Sequence, residues 1–459
     1  MKTRQVIFIA ICVLISASLG ILTIIMPTEK TTENKPMAAA PVLLKDGRPN
    51  TEVFSEFEAF FNEHVALRNE MVFADAFVQT KVFQTSNIAS VLYGKDGWLF
   101  YGSTLPDFNG TGLLDARALR NIAHNLELMQ SYLNDADILF TVAIPPNKNT
   151  LYSENMPYYD SLAIAEVHNM DLLTPILTEK DVHYTDLFEL FKGEEKVLYL
   201  KQDSHWNMEG AQKAFAALME DLGAEHRTYT ETETVWDYDG DLGKMLYSFF
   251  GQPEETVSFR DLTGEYEFKS EAKETDAGWI VTENDNGRGT LLMFRDSFAN
   301  TLIPYFSNEF ETAYYTKGQP FALERYVNEY APDYVIYEKV ERNVADLITH
   351  PPIFTAPKAE TPETISIYDK GGQAEIAVSE NDPNYYRISG SIDAKLLTDT
   401  AEIVVSVEDV MYRAFHVNEN EFTLYLPKAM FTENSLQVDV FTAEDGVYRR
   451  VCSKATGIR

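Results

Sequence analysis

The fold turns on one stretch, Thr290-Leu291-Leu292-Met293-Phe294-Arg295-Asp296-Ser297-Phe298-Ala299-Asn300. A short apolar run opens after Gly289, stops at Arg-Asp-Ser and passes straight into a short amphipathic segment. Strands that are apolar throughout belong to sheets covered on both faces. A strand-to-helix turn leaves the side chain at its apex near free backbone N–H groups, which stabilise an oxyanion. Ser297 occupies that apex. The same placement also suits an ordinary serine N-cap.

The flanking sequence repeats this alternation of buried run and helix. A helix is expected over about 115–135 and a largely apolar strand over 137–144, stopped by Pro145-Pro146. A helix follows near 165–178, then short strands near 182–186 and 196–200. Asn207 is placed to cap a helix reaching about Leu222, with Ala211, Phe215, Leu218 and Leu222 on one face. Further strand and helix candidates are 310–315, 320–330, 334–339 and 342–348. The pattern predicts an α/β domain over 51–350 with a parallel sheet flanked by helices. Before it, Phe54, Phe57, Phe61, Val65, Val72, Ala76 and Phe83 recur at helical spacing. Gly94-Lys95-Asp96-Gly97 between two β-prone runs reads as a hairpin. Residues 223–288, acidic and rich in Thr and Tyr, interrupt the alternation and are expected to be an insertion. Prolines mark a linker at 351–363. Short runs at 385–392, 401–407, 421–426 and 435–442 then predict a β-sandwich over 364–459.

A second polar setting is Asp203-Ser204-His205-Trp206-Asn207, between a short strand and a helix. Open α/β sheets place their sites at the carboxyl ends of strands. There Asp203 is able to fix one tautomer of His205, although an isolated Asp-x-His also fits a helix cap beside a buried polar ring. Taken with Ser297, the two settings supply nucleophile, base and orienting acid for acyl transfer. Asn147 and Lys148, just past a strand end, and Arg295 are further candidates for oxyanion or substrate binding, each with a plain structural reading beside it. No metal site is expected, because no His/Asp/Glu cluster has ligand spacing. Asp237-x-Asp239-Gly240-Asp241 has a calcium-loop flavour, but Ser248 stands where that loop needs Glu. No cofactor is implied.

Composition narrows the partners. The 459 residues carry 38 Lys+Arg against 71 Asp+Glu, a formal charge of −33, which excludes a nucleic-acid surface. Apolar residues at 45% are enough for a large core. The two cysteines, Cys12 and Cys452, exclude a disulfide framework. Val6 to Met26 is free of charge and, as a helix, spans ~31 Å, about one hydrocarbon thickness. Lys2 and Arg4 precede it, so residues 1–30 are expected to form an anchor with the rest of the chain outside, and 31–50 a stalk. A signal peptide cleaved after Ala17 is the alternative.

The chain resembles a known family. Asp203-x-His205-Trp206, Asp296-Ser297-Phe298, Gly94-Lys95-Asp96-Gly97-Trp98-Leu99-Phe100 and Ile144-Pro145-Pro146-Asn147-Lys148 together look like the AlgX/AlgJ alginate O-acetyltransferase group and its relatives with a DHHW motif. The resemblance covers about 50–350 and implies an SGNH-hydrolase-like domain whose Asp-His block precedes its Ser block. It implies Ser297 as nucleophile, His205 as general base and Asp203 as its orienter. It further implies an extracytoplasmic enzyme of the bacterial cell membrane, anchored by a single span, that moves acetyl groups onto a polysaccharide. The acetyl donor would be a polytopic membrane-bound O-acyltransferase, and the C-terminal sandwich would bind carbohydrate or cap the fold. The chain departs from the pattern with Asp-Ser-Phe-Ala in the nucleophile block and Asp-Ser-His-Trp in the base block. Its charge disfavours a polyanion such as alginate, so a neutral or zwitterionic polymer is expected. An acetyl esterase with the same triad and a catalytically silent polysaccharide-binding or assembly protein are the alternatives.

Overall fold

The computed structural model describes residues 3–28, 37–45, 47–157, 165–238, 240–248, 252–360, 364–367, 374–380, 382–432 and 435–458. Part of the expected stalk, Pro362 of the expected linker and Asp239 lie outside them. The centre is a seven-stranded sheet in the order Tyr184–Thr185, Leu139–Ala143, Tyr334–Glu338, Thr290–Phe294, Thr312–Thr316, Trp279–Glu283, Glu267–Phe268. The first five run parallel and the last two pairings are antiparallel.

Side chains alternate across this sheet, and both faces are apolar. Leu292, Phe294, Val335, Tyr337 and Val142 face the helices Ala116–Asp135 and Asn169–Glu179. Leu291, Met293, Ile336, Ala313 and Tyr315 face Met208–Asp221 and Ile303–Glu309. Truncating one fully buried side chain here, such as Leu292→Ala, costs about 2–5 kcal/mol. The helix caps come from the expected chemistry. Asp115 accepts from the Ala118 N–H, and Asn207 accepts from the Gly210 N–H.

Two expectations need correcting. Residues 196–200 do not form a sheet strand, since Tyr199 makes only an isolated bridge to Trp206. The chain doubles back on itself there, with Leu200 N–H bonded to the His205 carbonyl and Asn207 N–H to the Leu198 carbonyl. The stretch 223–288 is also not wholly an interruption of the sheet. A hairpin, Thr232–Tyr238 with Glu254–Phe259, lies off the sheet and encloses the helix Asp241–Tyr247. Glu267–Phe268 and Trp279–Glu283, by contrast, complete the central sheet as antiparallel strands, with Ile280 and Thr282 buried and their neighbours more open.

The C-terminal region has sheets of five and four strands enclosing a core that includes Ile376, Ile388, Val405, Leu424 and Val440. It is tied to the α/β domain through a shared apolar cluster holding Phe354, Tyr385, Phe415 and Tyr425. At the N-terminus, α1 (Thr3–Ile25) is long and apolar enough to cross a membrane, with mean hydropathy 2.7. It is followed by α2 (Val53–His64) and α3 (Arg68–Val82).

Candidate active site

The carboxyl ends of Leu139–Ala143, Tyr334–Glu338 and Thr290–Phe294 converge, and the loops beyond them build the site. Asp296 shapes the turn after Thr290–Phe294. Its carboxylate accepts from the N–H groups of Phe298 (2.9 Å) and Val340 (2.9 Å), while its own N–H donates to Glu338 (2.8 Å). Ser297 is thereby lifted to the apex, half-buried.

Ser297 Oγ lies 2.8 Å from His205 Nε2, and His205 Nδ1 lies 2.6 Å from Asp203 Oδ1. The two segments are 92 residues apart in sequence. Asp203 is buried and also accepts from the N–H groups of His205 (2.8 Å) and Asp241 (2.8 Å). Burial works against its charge, but these bonds outweigh it and hold the carboxyl well below its usual range. Burial likewise opposes a charge on His205, yet the bond and charge of Asp203, with Asp241 behind it, raise the imidazole above its ordinary value. Asp203 thus keeps the Nδ1 proton, leaving Nε2 free to take one from a hydroxyl.

The neighbours hold this geometry. Trp206, fully buried, donates from Nε1 to the Phe298 carbonyl (3.0 Å) and to Thr301 Oγ1 (2.6 Å), joining the base loop to the serine turn. Glu254 accepts from the N–H groups of Lys201 (2.7 Å) and Gln202 (2.9 Å). Gly240 lies so close to this loop that a Cβ would stand 2.3 Å from the Gln202 carbonyl oxygen.

The three subsidiary candidates divide. Asn147 is buried, its N–H donates to Glu341 (2.7 Å), and its side-chain Nδ2 has no hydrogen-bond partner among the described residues. Lys148 is buried and turned onto the backbone. Its ammonium lies near the Trp98 and Phe100 rings and donates to the carbonyls of Leu200 (3.0 Å), Lys201 (3.0 Å) and Asp203 (2.6 Å). Burial pushes its pKa down to about 7, although three acceptors suit the charged form. Arg295 is buried too and is spent on the carbonyls of Thr275 (2.9 Å) and Ala277 (2.6 Å) and on Asn300. Both cations are buried and staple loops.

Sequence reasoning missed two groups. Asp241 accepts from Ser204 N–H (2.7 Å) and Oγ (2.6 Å), and its carboxylate stands 3.7 Å from His205 Nδ1. Its signal was the acidic stretch 237–241, where the sequence offered no role beyond a rejected calcium loop. Arg342 lies over the Phe298 and Tyr101 rings, 3.4 Å from Asn147 Oδ1. Nothing in its local sequence marks it. Asp203, His205 and Asp241 are close enough to hold a cation together, but it would compete with Asp203 for Nδ1.

Residues 91–284 match the family ALGX, described as the SGNH hydrolase-like domain of the acetyltransferase AlgX. This span holds Asp203 and His205 and stops short of Ser297. Among solved structures the chain is similar to Bacillus cereus PatB1, with 18% identity, 55% of this chain and 96% of that chain covered, and a TM-score of 0.45. It is also similar to the O-acetyltransferase domain of Pseudomonas putida AlgJ, at 19%, 56% and 92% with a TM-score of 0.37. For Pseudomonas aeruginosa AlgX the values are 13%, 84% and 98%, with a TM-score of 0.37. No curated protein matches. The AlgX/AlgJ-like resemblance read from the sequence therefore holds over residues 91–284, where the chain matches the AlgX acetyltransferase family.

Proposed function

We propose that this chain is an extracytoplasmic O-acetyltransferase acting on a polysaccharide through Ser297, His205 and Asp203. The observation that carries the reading is the unbroken relay of Asp203, His205 and Ser297 at 2.6 and 2.8 Å. As Ser297 Oγ attacks the acetyl carbonyl, its proton passes to His205 Nε2. The tetrahedral intermediate collapses to acetyl-Ser297, and the leaving group takes the proton from His205. A sugar hydroxyl then gives its proton to His205, attacks the acetyl carbon and leaves Ser297 protonated once more. The free Nδ2 of Asn147, beside Arg342, is the candidate donor to the oxyanion.

α1 serves as the anchor, a polytopic membrane O-acyltransferase as the acetyl donor, and the C-terminal sheets as cap or sugar-binding module. The acceptor is a neutral or zwitterionic glycan, since a chain of −33 repels a polyanion. The test is acetyl-ester turnover and intact mass of the wild type against Ser297→Ala. An acetyl adduct mapped to Ser297, and absent from the variant, is expected. Equal turnover by both proteins, or an adduct elsewhere, refutes the assignment. Acetate release with no transfer to any glycan in a panel would leave an esterase.

A further inference from the structure

The helices after the anchor carry apolar surface that the fold does not use. On α2, Phe54, Phe57 and Phe61 are exposed at 85%, 55% and 39%, and the helix buries no residue at all. Their spacing puts them on one stripe. On the opposite side Glu56 accepts from Lys45 and Asn50, and Glu63 accepts from the Ala38 N–H, so the stalk covers the acidic face. α3 shows the same division. Phe73 and Ala76 pack against Leu242, Leu246 and Tyr247. The other face presents Leu67, Met71, Val78 and Val82, exposed at 48%, 40%, 45% and 67%.

Both helices meet at the end of α1. Thr23 Oγ1, inside α1, accepts from the Ala66 N–H at 3.0 Å. Thr28 donates from its N–H to the His64 carbonyl (3.0 Å) and from Oγ1 to the Val65 carbonyl (2.7 Å). The turn between α2 and α3 is therefore fastened to the end of the anchor. Phe54 and Val82 lie roughly 16 and 25 Å from that turn along their helices.

We propose that α2 and α3 lie in the headgroup boundary of the bilayer with these two stripes buried in it, an inference that rests on reading α1 as a membrane anchor. The occupant of both stripes is the lipid surface. Large contiguous apolar faces on helices fixed beside a span fit an interfacial pair, and the acidic chain points to a zwitterionic headgroup over an anionic one. The arrangement also orients the site. α3 packs on Asp241–Tyr247, and Asp241 donates its N–H to Asp203, so the membrane plane is linked to the base loop through one helix.

The test uses the full chain in phosphatidylcholine nanodiscs with one spin label per variant. Phe57→Cys, Val78→Cys and the exposed control Ser55→Cys are made in a Cys12→Ser/Cys452→Ser background. A fourth protein keeps only Cys12, by Cys452→Ser. The ratio of oxygen to water-soluble nickel collisions at 57 and 78 is expected to exceed that at 55 by at least ~3-fold. If 57 and 78 are as wet as 55 while Cys12 is in lipid, this inference fails and the anchor stands. If Cys12 is wet as well, the anchor reading falls and takes the inference with it. Shielding that comes with spin–spin broadening would assign the face to a second copy of the chain and overturn the lipid assignment.

Discussion

Two histidine–carboxylate clusters in this molecule have similar ingredients and opposite designs. At the strand ends, His205 gives one nitrogen to Asp203 and the other to a half-buried hydroxyl. At the junction with the C-terminal sheets, His124 and His416 stack at 4.0 Å beside Glu402. There every bond goes inward. His124 Nε2 meets the Ala414 carbonyl, His416 Nε2 accepts the Ile403 N–H, and His416 Nδ1 meets Asn121. Glu402 is further shared by Lys180 and Arg413. Burial and the neighbouring His124 and Arg117 hold His416 well below its ordinary value, whereas His205 is raised above its own. Chemistry needs one ring nitrogen turned to a reactive group, and a joint needs none.

The sharpest break between the clusters is Ser297→Ala or His205→Ala, each expected to lower acetyl-ester turnover on the order of 10⁴-fold or more. The melting temperature should be nearly unchanged in Ser297→Ala and lowered in His205→Ala, which leaves the buried Asp203 without its ring partner. His416→Ala should do the reverse in the same pair of assays, keeping turnover per folded molecule while losing about 2–4 kcal/mol from the unpartnered Asn121 and Ile403 groups. Lys148→Met sits between the two. It strips two buried carbonyls and one part-buried one of their donor, so a loss of about 2–3 kcal/mol is expected together with a ~10–100-fold fall in turnover as the Asp203–His205 loop loosens. Unchanged turnover in that variant would show that the loop holds without it.

Acid separates the clusters more gently. His205 must be neutral to act, so turnover should fall as pH drops through a value above the ordinary 6.5, and the limb should move to lower pH in Asp203→Asn. For stability the signs differ. The raised pKa of His205 stabilises the fold below pH 6.5, a contribution lost as pH rises through the raised value. His416 is depressed, so the unfolded chain binds more protons below 6.5 and stability falls with acid there. Denaturant melts of wild type and His416→Ala between pH 5 and 8 read this directly. An equal pH slope in the two would remove His416 from the account.

The parallel sheet and the meeting of Ser297 with His205 and Asp203 were legible because their signals are local. Ser297 follows an apolar strand, and Asp203 and His205 share one turn before a capped helix. What failed was direction. Lys148 and Arg295 stand at strand ends as ligand-binding cations do, but a sequence carries charge without showing which carbonyls will claim it. Asp241 and Arg342 arrive from short helical segments that only the tertiary fold brings near. Of the C-terminal aromatic side chains, Tyr385, Tyr412, Phe415 and Tyr425 are buried, while Tyr386 stays partly open under Lys428. An alternating strand reads alike whether its aromatic face meets a sugar or a second sheet.

The route of the chain through its central sheet has a consequence for how the protein comes into being. Leu139–Ala143 has only the two-residue strand Tyr184–Thr185 on one side, its longer pairing waits for Tyr334–Glu338, and the bond joining the loops beyond them, Asn147 to Glu341, spans 194 residues. Such distant pairing makes for slow assembly. During synthesis the loop of Asp203 and His205 exists long before Ser297 and the strands that seat it. A fragment ending at residue 284 would contain the whole span that matches the AlgX family and still lack three adjoining inner strands. Ribosome-bound chains of increasing length should therefore resist protease only once residues to about 340 have emerged, all at one step.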